Sequence, residues 1–165
     1  MKVFSVYGIS GSGKTTTIEY IIRELIRRGY TVGSVKDIHF EQFAMDTAGT
    51  NTHRHKQAGA HPVTARGLKE TDVMFDSRLP TDAVLRFYHQ DFVVLEGTCE
   101  PDIPAVITGH TLDDLDRLDK PSVFAVSGKI SAEIDEYNGV PAIDATSDIK
   151  KLVDLIEQKA VPYGS

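Results

Sequence analysis

Apolar residues change their spacing about fifteen positions into the chain. Residues 2–7 are rich in β-branched and aromatic side chains, which is typical of a short strand. From Thr15 onward the apolar positions follow a helical period, and the stripe comprises Ile18, Ile21, Ile22, Leu25 and Ile26. Charged residues, Glu24 among them, take the other faces, and Gly29 stands where a left-handed residue would end the helix. The pattern predicts a strand and an amphipathic helix joined by a short turn.

The rest of the chain alternates strand patterns with helix patterns. Strands are predicted at residues 31–36, 61–67, 71–75, 92–95, 103–108, 122–127 and 141–145. Helices are predicted at residues 52–58, 80–88 and 148–159, and a short one carries Leu112, Leu115 and Leu118. Because residues 92–95 are the most apolar strand, we expect them near the centre of the sheet. The strands at 61–67 and 71–75 flank a short turn and are expected to pair antiparallel.

This order of elements predicts an α/β fold. We expect one doubly wound, mostly parallel sheet with an inserted antiparallel hairpin. The length of 165 residues and the apolar content of 41% predict a single domain over residues 1–165. Residues 37–50 form a polar passage longer than the usual connection, and connections of that length often serve a function.

The composition of the chain limits the classes of partner that we expect. The formal charge of −6 leaves no basic field for a nucleic acid, so none is expected. Cys99 is the single cysteine, which excludes an intramolecular disulfide and gives no cysteine cluster for a metal. Because no apolar run reaches membrane-spanning length and no signal peptide precedes the first strand, we expect a cytoplasmic protein without a membrane partner.

The turn between the first strand and the first helix carries the main chemical signal. Residues 8–15 fit the pattern G-x-x-x-x-G-K-[ST] of a phosphate-binding loop without a departure. Its glycines allow backbone N–H groups to approach phosphate oxygens, and the following helix adds further unpaired N–H groups. The strand before it and the helix after it favour a nucleoside-triphosphate site over an ordinary glycine-rich turn. The residues expected to bind nucleotide are Gly8, Ser10, Gly11, Ser12, Gly13, Lys14, Thr15 and Thr16.

Three side chains are expected to act on the phosphates and their metal. Lys14 should face the β- and γ-phosphates, and Thr15 should offer its hydroxyl to Mg²⁺. Glu96 follows the most apolar strand, where folds of this kind place an acid near the Mg²⁺. The predicted metal ligands are therefore Thr15 and Glu96, although a glutamate here can also simply end a strand at the surface.

The polar passage and the helix after it supply two further candidates. Asp46 and Arg54 could flank the terminal phosphate, since a guanidinium stabilises charge on a transferring phosphoryl group. Together with Glu96 they form the predicted catalytic set. Arg54 can equally be a solvated helix residue. His53 and His55 are two positions apart and would not share a helix face, which disfavours a metal site there.

Further motifs accompany the loop, and they extend over most of the chain. They are the Thr-Thr ending of residues 8–16, Val35-Lys36, the passage Asp46-x-x-Gly49-x-Asn51-Thr52-x-Arg54, Ala-Gly-Ala at 58–60 and Val-Leu-Glu-Gly at 94–97. Together, from residue 2 to residue 158, they resemble the MobB family of GTP-binding adaptors in molybdopterin-guanine dinucleotide biosynthesis. The resemblance implies a P-loop NTPase fold, GTP and Mg²⁺ as ligands, and slow GTP hydrolysis at most. It also implies a homodimer that assists a molybdopterin guanylyltransferase or handles the cofactor intermediate.

The chain departs from the family pattern at the rim of the expected site. Thr50 and Asn51 stand where the family usually has lysine and aspartate, and Thr98 and Cys99 replace an aromatic residue and a lysine. These departures are expected to change contacts with a substrate or partner and to leave nucleotide binding unaffected.

The sequence leaves two alternative functions open, and it does not identify the base of the nucleotide. A small P-loop kinase shares the loop, but its arginine-rich lid has no counterpart among the scattered arginines after residue 50. A metal-delivery GTPase would need a Cys-plus-His site, for which Cys99 alone is thin support. Lys129 could pack its stem along a purine or could be an exposed lysine. The residues alone do not distinguish GTP from ATP.

Overall fold

The computed structural model describes residues 1–40 and 43–163, which form two compact units. The first comprises Met1–Asp37 and the chain from Tyr88 onward, and the second is Ile38–Phe87. Within the predicted polar passage, residues 41 and 42 lie outside the described part. The single domain over residues 1–165 stays a prediction, and each unit is described by itself.

Most of the predicted elements are present with shifts at their ends, and the strand predicted at residues 141–145 is the exception. The strands are β1 (Lys2–Gly8), β2 (Val32–Lys36), β3 (Val63–Arg66), β4 (Thr71–Met74), β5 (Phe92–Glu96), β6 (Ala105–Thr108), β7 (Val123–Ser127), β8 (Glu136–Tyr137), β9 (Val140–Pro141) and β10 (Val161–Pro162). The helices are α1 (Lys14–Arg27), α2 (Asn51–Gln57), α3 (Thr81–Leu85), α4 (Leu112–Leu118) and α5 (Ile149–Lys159), with a 3₁₀ helix at Lys129–Ala132.

The first unit is built on a mostly parallel sheet in the order β2-β5-β1-β6-β7. Within this sheet and among the described residues, only β10 runs antiparallel, and it pairs with the first residues of β1. The interior position predicted for residues 92–95 is confirmed, since β5 lies between β2 and β1 with all four residues buried. All five parallel strands therefore end at one edge of the sheet, where ligands bind in folds of this class.

Helices cover both faces of this sheet, which confirms the doubly wound arrangement. Side chains alternate faces along a strand, so neighbouring residues of β1 belong to different cores. Phe4 and Val6 pack in one core with α1 and α5, whereas Tyr7 packs in the other with Leu115 of α4. The strand that leads into the phosphate loop is thus packed against a hydrophobic core on each face.

Helix α1 departs from its predicted pattern at two positions. Ile26, expected on the buried stripe, is 57% exposed, whereas Glu24, expected on the polar face, is buried. The Glu24 carboxylate accepts hydrogen bonds from Arg27 Nε at 2.6 Å and Arg28 Nε at 2.9 Å. Arg28 also donates to Asp154 and Glu157 of α5, so this charged network joins the two helices. A buried carboxylate is tolerated there because both of its oxygens are paired.

This network predicts a stability that depends on pH. The hydrogen bond from Arg27 is the main reason why the pKa of Glu24 is lowered from 4.5 to about 2, while burial acts in the opposite direction. The contribution of Glu24 is therefore complete above pH 4.5 and is lost as the pH falls towards 2. We expect Glu24→Gln to lower the free energy of unfolding at pH 7 by about 1–3 kcal/mol.

Denaturant titrations at pH 7 and pH 3 measure this effect. The matched control is Glu19→Gln on the same helix, because Glu19 pairs with Arg23 on the surface and should change stability by less than about 0.5 kcal/mol. The difference between wild type and Glu24→Gln should shrink at pH 3. A difference that stays constant with pH contradicts the role given to the carboxylate.

The second unit contains the predicted hairpin as a sheet of its own. Strands β3 and β4 pair antiparallel and form a separate two-stranded sheet. Helix α3 ends before the predicted residue 88, because Phe87 N already bonds three residues back to Val84 O in a tight turn. The α/β fold with a mostly parallel sheet and an antiparallel hairpin is confirmed.

The segment between β7 and α5 was predicted least well. The strand expected at residues 141–145 is reduced to β9 and an isolated bridge between Val126 and Ala142. β9 instead pairs with β8 across Asn138-Gly139, where both residues adopt positive φ as a tight hairpin requires.

Within the described residues, no helix is long and apolar enough to cross a membrane.

Candidate functional site

The loop between β1 and α1 is held closely against neighbouring backbone. A Cβ at Gly8 would lie 2.1 Å from the carbonyl oxygen of Thr108, so only glycine fits. Gly13 precedes α1 with φ of 101°, a left-handed conformation that glycine adopts without strain. Glycine is required at Gly8 by this close contact and at Gly13 by the left-handed backbone conformation.

Ser12 stabilises the loop from the inside. Its fully buried hydroxyl donates to Ile9 O at 2.8 Å and lies 2.6 Å from Thr108 Oγ1. This side chain is turned away from solvent, so a predicted contact of Ser12 with nucleotide would involve its main chain.

Lys14 extends back over the loop. Its ammonium donates to the carbonyl oxygens of Gly8 at 2.8 Å and Ile9 at 2.6 Å. Burial lowers the pKa of Lys14, while the nearby Glu96 carboxylate acts in the opposite direction. The Lys14 ammonium is thus held at the loop, where a phosphate would bind.

Glu96 and Thr15 meet beside the loop, together with a lysine. Thr15 Oγ1 donates to Glu96 Oε1 at 3.1 Å, and Lys36 Nζ donates to the same oxygen at 2.5 Å. Lys36 and Glu96 are direct neighbours in the register of β2 and β5, which explains their meeting. The Glu96 side chain is 12% exposed, so its charge is largely shielded from water.

The pair Thr15 and Glu96 fits a Mg²⁺ ion. Neighbouring ligands of an octahedral Mg²⁺ with bonds of about 2.0–2.1 Å lie roughly 2.9 Å apart. The two oxygens of this pair are 3.1 Å apart. Among the described residues there is no group of three or more His, Cys, Asp or Glu that could hold a metal. Phosphate-bound Mg²⁺ does not need one, because it takes one or two protein ligands besides phosphates and water.

A cleft of about 350 Å³ opens above the loop. It is lined by Ser10, Gly11, Gly13, Lys14, Thr15, Thr16, Lys36, Glu96 and Lys129. Three ammonium groups face one carboxylate in this set, which gives the cleft a positive charge suited to phosphates. Six of the eight residues predicted to bind nucleotide therefore line one cleft, and Gly8 and Ser12 are the two that do not.

A second cleft of about 380 Å³ adjoins the first, and both are lined by Gly13, Thr16 and Lys129. Its other lining residues are Thr17, Gly128, Ala132, Asp144, Ala145 and Thr146. The backbone N–H of Lys129 donates to Ser12 O at 2.9 Å, which ties this region to the phosphate loop.

The sequence analysis assigned no role to Lys36, His110 or Asp144, which the structure places at the loop or its clefts. Lys36 and Glu96 are the last residues of two parallel strands, β2 and β5. The predicted sheet alone would therefore have placed Lys36 at the same edge as Glu96. His110 Nε2 lies 3.3 Å from Ser10 O, and Asp144 lines the second cleft. Neither position carries a motif, and only the fold brings them to the site.

Asp46 and Arg54 belong to the second unit. Asp46 Oδ1 accepts hydrogen bonds from Thr50 Oγ1 at 2.8 Å and Thr52 Oγ1 at 2.9 Å, and these bonds lower the pKa of Asp46. Thr50 in turn caps α2, because its side chain accepts from His53 N. These contacts give Asp46 a local role before α2, on which Arg54 is exposed. The predicted catalytic roles of both residues stay predictions.

Comparison with known proteins points to one family. A family model described as molybdopterin guanine dinucleotide synthesis protein B, or MobB, matches residues 3–126. A Haemophilus influenzae relative, named molybdopterin-guanine dinucleotide biosynthesis adapter protein, is 29% identical over 155 residues, covering 86% of this chain and 84% of its own. A Methanocaldococcus jannaschii relative is 29% identical over 165 residues, and the match covers 98% of this chain but 63% of that protein.

Solved structures share the fold. The crystal structure of Bacillus subtilis MobB has a TM-score of 0.79 at 23% identity and covers 99% of this chain and 100% of its own. A MobB homologue from Bacillus stearothermophilus has a TM-score of 0.71 at 22% identity, with 96% and 98% covered. The likeness to these structures supports the predicted α/β fold, with its mostly parallel sheet and its separate antiparallel pair.

Proposed function

The chain belongs to the MobB family, since the family model matches residues 3–126, and from that premise we propose that it is a GTP-binding adapter of molybdopterin-guanine dinucleotide biosynthesis. The match to the family model is the observation that carries the proposal. In this function the chain binds GTP with Mg²⁺ and assists a molybdopterin guanylyltransferase, or handles the cofactor intermediate, as a homodimer in the cytoplasm.

The cleft above the phosphate loop supports the nucleotide part of the proposal. Lys14 and Lys36 supply positive charge for the β- and γ-phosphates, and backbone N–H groups of the loop and of α1 add neutral donors. Thr15 and Glu96 would hold Mg²⁺, which neutralises charge on the phosphate oxygens when it is bound. Because Lys36 pairs with Glu96, a phosphate that attracts Lys36 would free the carboxylate for the metal.

The adapter function itself is tested by reconstituting the synthesis. Purified molybdopterin guanylyltransferase, molybdopterin, GTP and Mg²⁺ are combined with and without this protein, and the dinucleotide product is measured. We expect more product with wild type than with Lys14→Ala at the same concentration. Equal product with wild type, with Lys14→Ala and without the protein would contradict the proposal.

Hydrolysis by the protein alone should be slow. Turnover in P-loop proteins needs an oriented nucleophile and added positive charge at the transferring phosphoryl group. Outside the phosphate-loop unit the candidate for that charge is Arg54, which is exposed on α2. We therefore expect a rate below about 10⁻² per second, as for unassisted small GTPases. The proposed partner should raise this rate, and Arg54→Ala should lose most of the increase with little change in nucleotide affinity.

Single-turnover phosphate release with and without the guanylyltransferase measures this expectation. Arg66→Ala is the matched control, because Arg66 is an exposed arginine of the same unit on β3. Turnover of many per second by the protein alone, or rapid phosphate transfer to a nucleoside, would contradict the adapter and favour the kinase alternative. The metal-delivery alternative would require a tightly bound transition metal in a titration.

A further inference from the structure

The cleft beside the phosphate cleft has the position and size of a base pocket. Its volume of about 380 Å³ is within the range of about 300–1,000 Å³ for small-molecule sites. It shares Gly13, Thr16 and Lys129 with the phosphate cleft, so one ligand can occupy both. A nucleotide whose phosphates lie on the loop can therefore reach this second cleft with its base.

The fold brings Lys129 and Asp144 to this cleft from two neighbouring segments. Val126 of β7 bridges to Ala142 in parallel, and Ile143 N donates to Val126 O at 2.8 Å. Ser127 Oγ also donates to Ile143 O at 2.8 Å. Because these two segments run side by side in the same direction, the residues that follow them reach the same end of the sheet.

The lining contains both apolar and polar groups, as a site for a purine needs. Ala132, Ala145 and the methylene stem of Lys129 offer apolar surface to a flat ring. Asp144 is the one carboxylate among the residues that line this cleft. It is held in place because its Oδ1 accepts from the backbone N–H and the hydroxyl of Thr146, both at 2.8 Å.

A fixed carboxylate distinguishes the purines by their edges. An ionised carboxylate only accepts hydrogen bonds and has about four acceptor positions, of which Thr146 takes a part. Guanine presents two adjacent donors, its N1–H and its 2-amino group, which match two carboxylate oxygens. Adenine presents an unprotonated N1, whose lone pair would oppose the carboxylate.

We propose that this second cleft holds the purine ring and that Asp144 selects guanine over adenine. The inference rests on the proposed binding of a nucleoside triphosphate and adds the residue that identifies the base. The sequence pattern gave no indication of this role, because Asp144 lies outside any guanine-binding motif.

The substitution Asp144→Asn tests the proposal, because asparagine keeps the acceptor for Thr146 and replaces one carboxylate oxygen with an amide donor. Calorimetry with Mg²⁺ compares GTP, ITP, XTP and ATP. Wild type should bind GTP more tightly than ITP, which lacks the 2-amino group, and ITP more tightly than ATP. In Asp144→Asn the GTP affinity should fall about tenfold or more, the factor that corresponds to 1.4 kcal/mol. The XTP affinity should rise by a similar factor, because the amide can donate to the 2-oxo group of xanthine.

Asp113→Asn is the control, since Asp113 pairs with Arg117 on the surface of α4 and should leave all four affinities unchanged. Equal binding of GTP and ATP by wild type would overturn the role of Asp144 and leave nucleotide binding intact. A loss of GTP binding in Asp144→Asn without a gain for XTP would overturn it as well. If wild type binds none of the four nucleotides, the proposed function fails and this inference fails with it.

Discussion

Replacing Lys14 with alanine should weaken the binding of nucleoside triphosphate by a factor on the order of 100. Its ammonium already lies 2.8 Å from Gly8 O and 2.6 Å from Ile9 O, at the mouth of the loop. A hydrogen bond to a charged group contributes up to about 3 kcal/mol, and each 1.4 kcal/mol changes affinity tenfold. The fold should be unaffected, because Lys14 lines the open cleft and belongs to neither hydrophobic core.

Calorimetric titration with GTP and ATP measures this loss, and thermal unfolding checks the fold. Lys120→Ala serves as control because Lys120 is an exposed lysine far along the chain from the loop and outside the lining of either cleft. Unchanged affinity in a folded Lys14→Ala variant would remove the assignment of the loop as a phosphate site.

Replacing Glu96 with glutamine should weaken nucleotide binding about tenfold in the presence of Mg²⁺ and hardly at all in its absence. The amide keeps the shape of the side chain and an oxygen for the Thr15 hydroxyl, but it removes the charge that Mg²⁺ and Lys36 would share. The expected factor corresponds to about 1.5 kcal/mol, the lower end for hydrogen bonds to charged groups. The difference between the two conditions is therefore what identifies a metal ligand.

Titrations with Mg²⁺ and with EDTA give this comparison. Glu133→Gln, at an exposed glutamate after the 3₁₀ helix, controls for the change of net charge. Losses of the same size in both conditions would mean that Glu96 only stabilises the end of β5 and holds no metal.

The residues around the phosphate loop were predictable because their constraints are local. A tight turn between a strand and a helix requires glycine at Gly8 and Gly13, and the helical period of α1 starts where the loop ends. Glu96 was predictable for a different reason. An unbroken apolar strand must lie inside the sheet, and its first polar residue then reaches the ligand-binding edge.

Other features depended on contacts between distant residues and could not be read from spacing. Glu24 was assigned to the surface, but Arg28 draws it into a network that includes Asp154 of α5. Asp144 carries no motif, and it lines the second cleft because segments 126–127 and 142–143 run in parallel, with the β8–β9 hairpin in the connection between them. That hairpin had a local signal in Asn138-Gly139, which the prediction of a strand at residues 141–145 overlooked.

The contact between Gly128 and the phosphate loop links the two clefts mechanically. A Cβ at Gly128 would lie 2.3 Å from Ser12 O, and the next residue, Lys129, donates its N–H to that same oxygen. A shift of the loop on binding phosphate would therefore also move the backbone that carries Lys129. The free energies that the phosphates and the base of a nucleotide contribute would then not be additive, and by reciprocity binding at either end would favour binding at the other. Free guanine or inorganic triphosphate alone would each bind more weakly than expected from the part of the binding free energy that it contributes in the intact nucleotide.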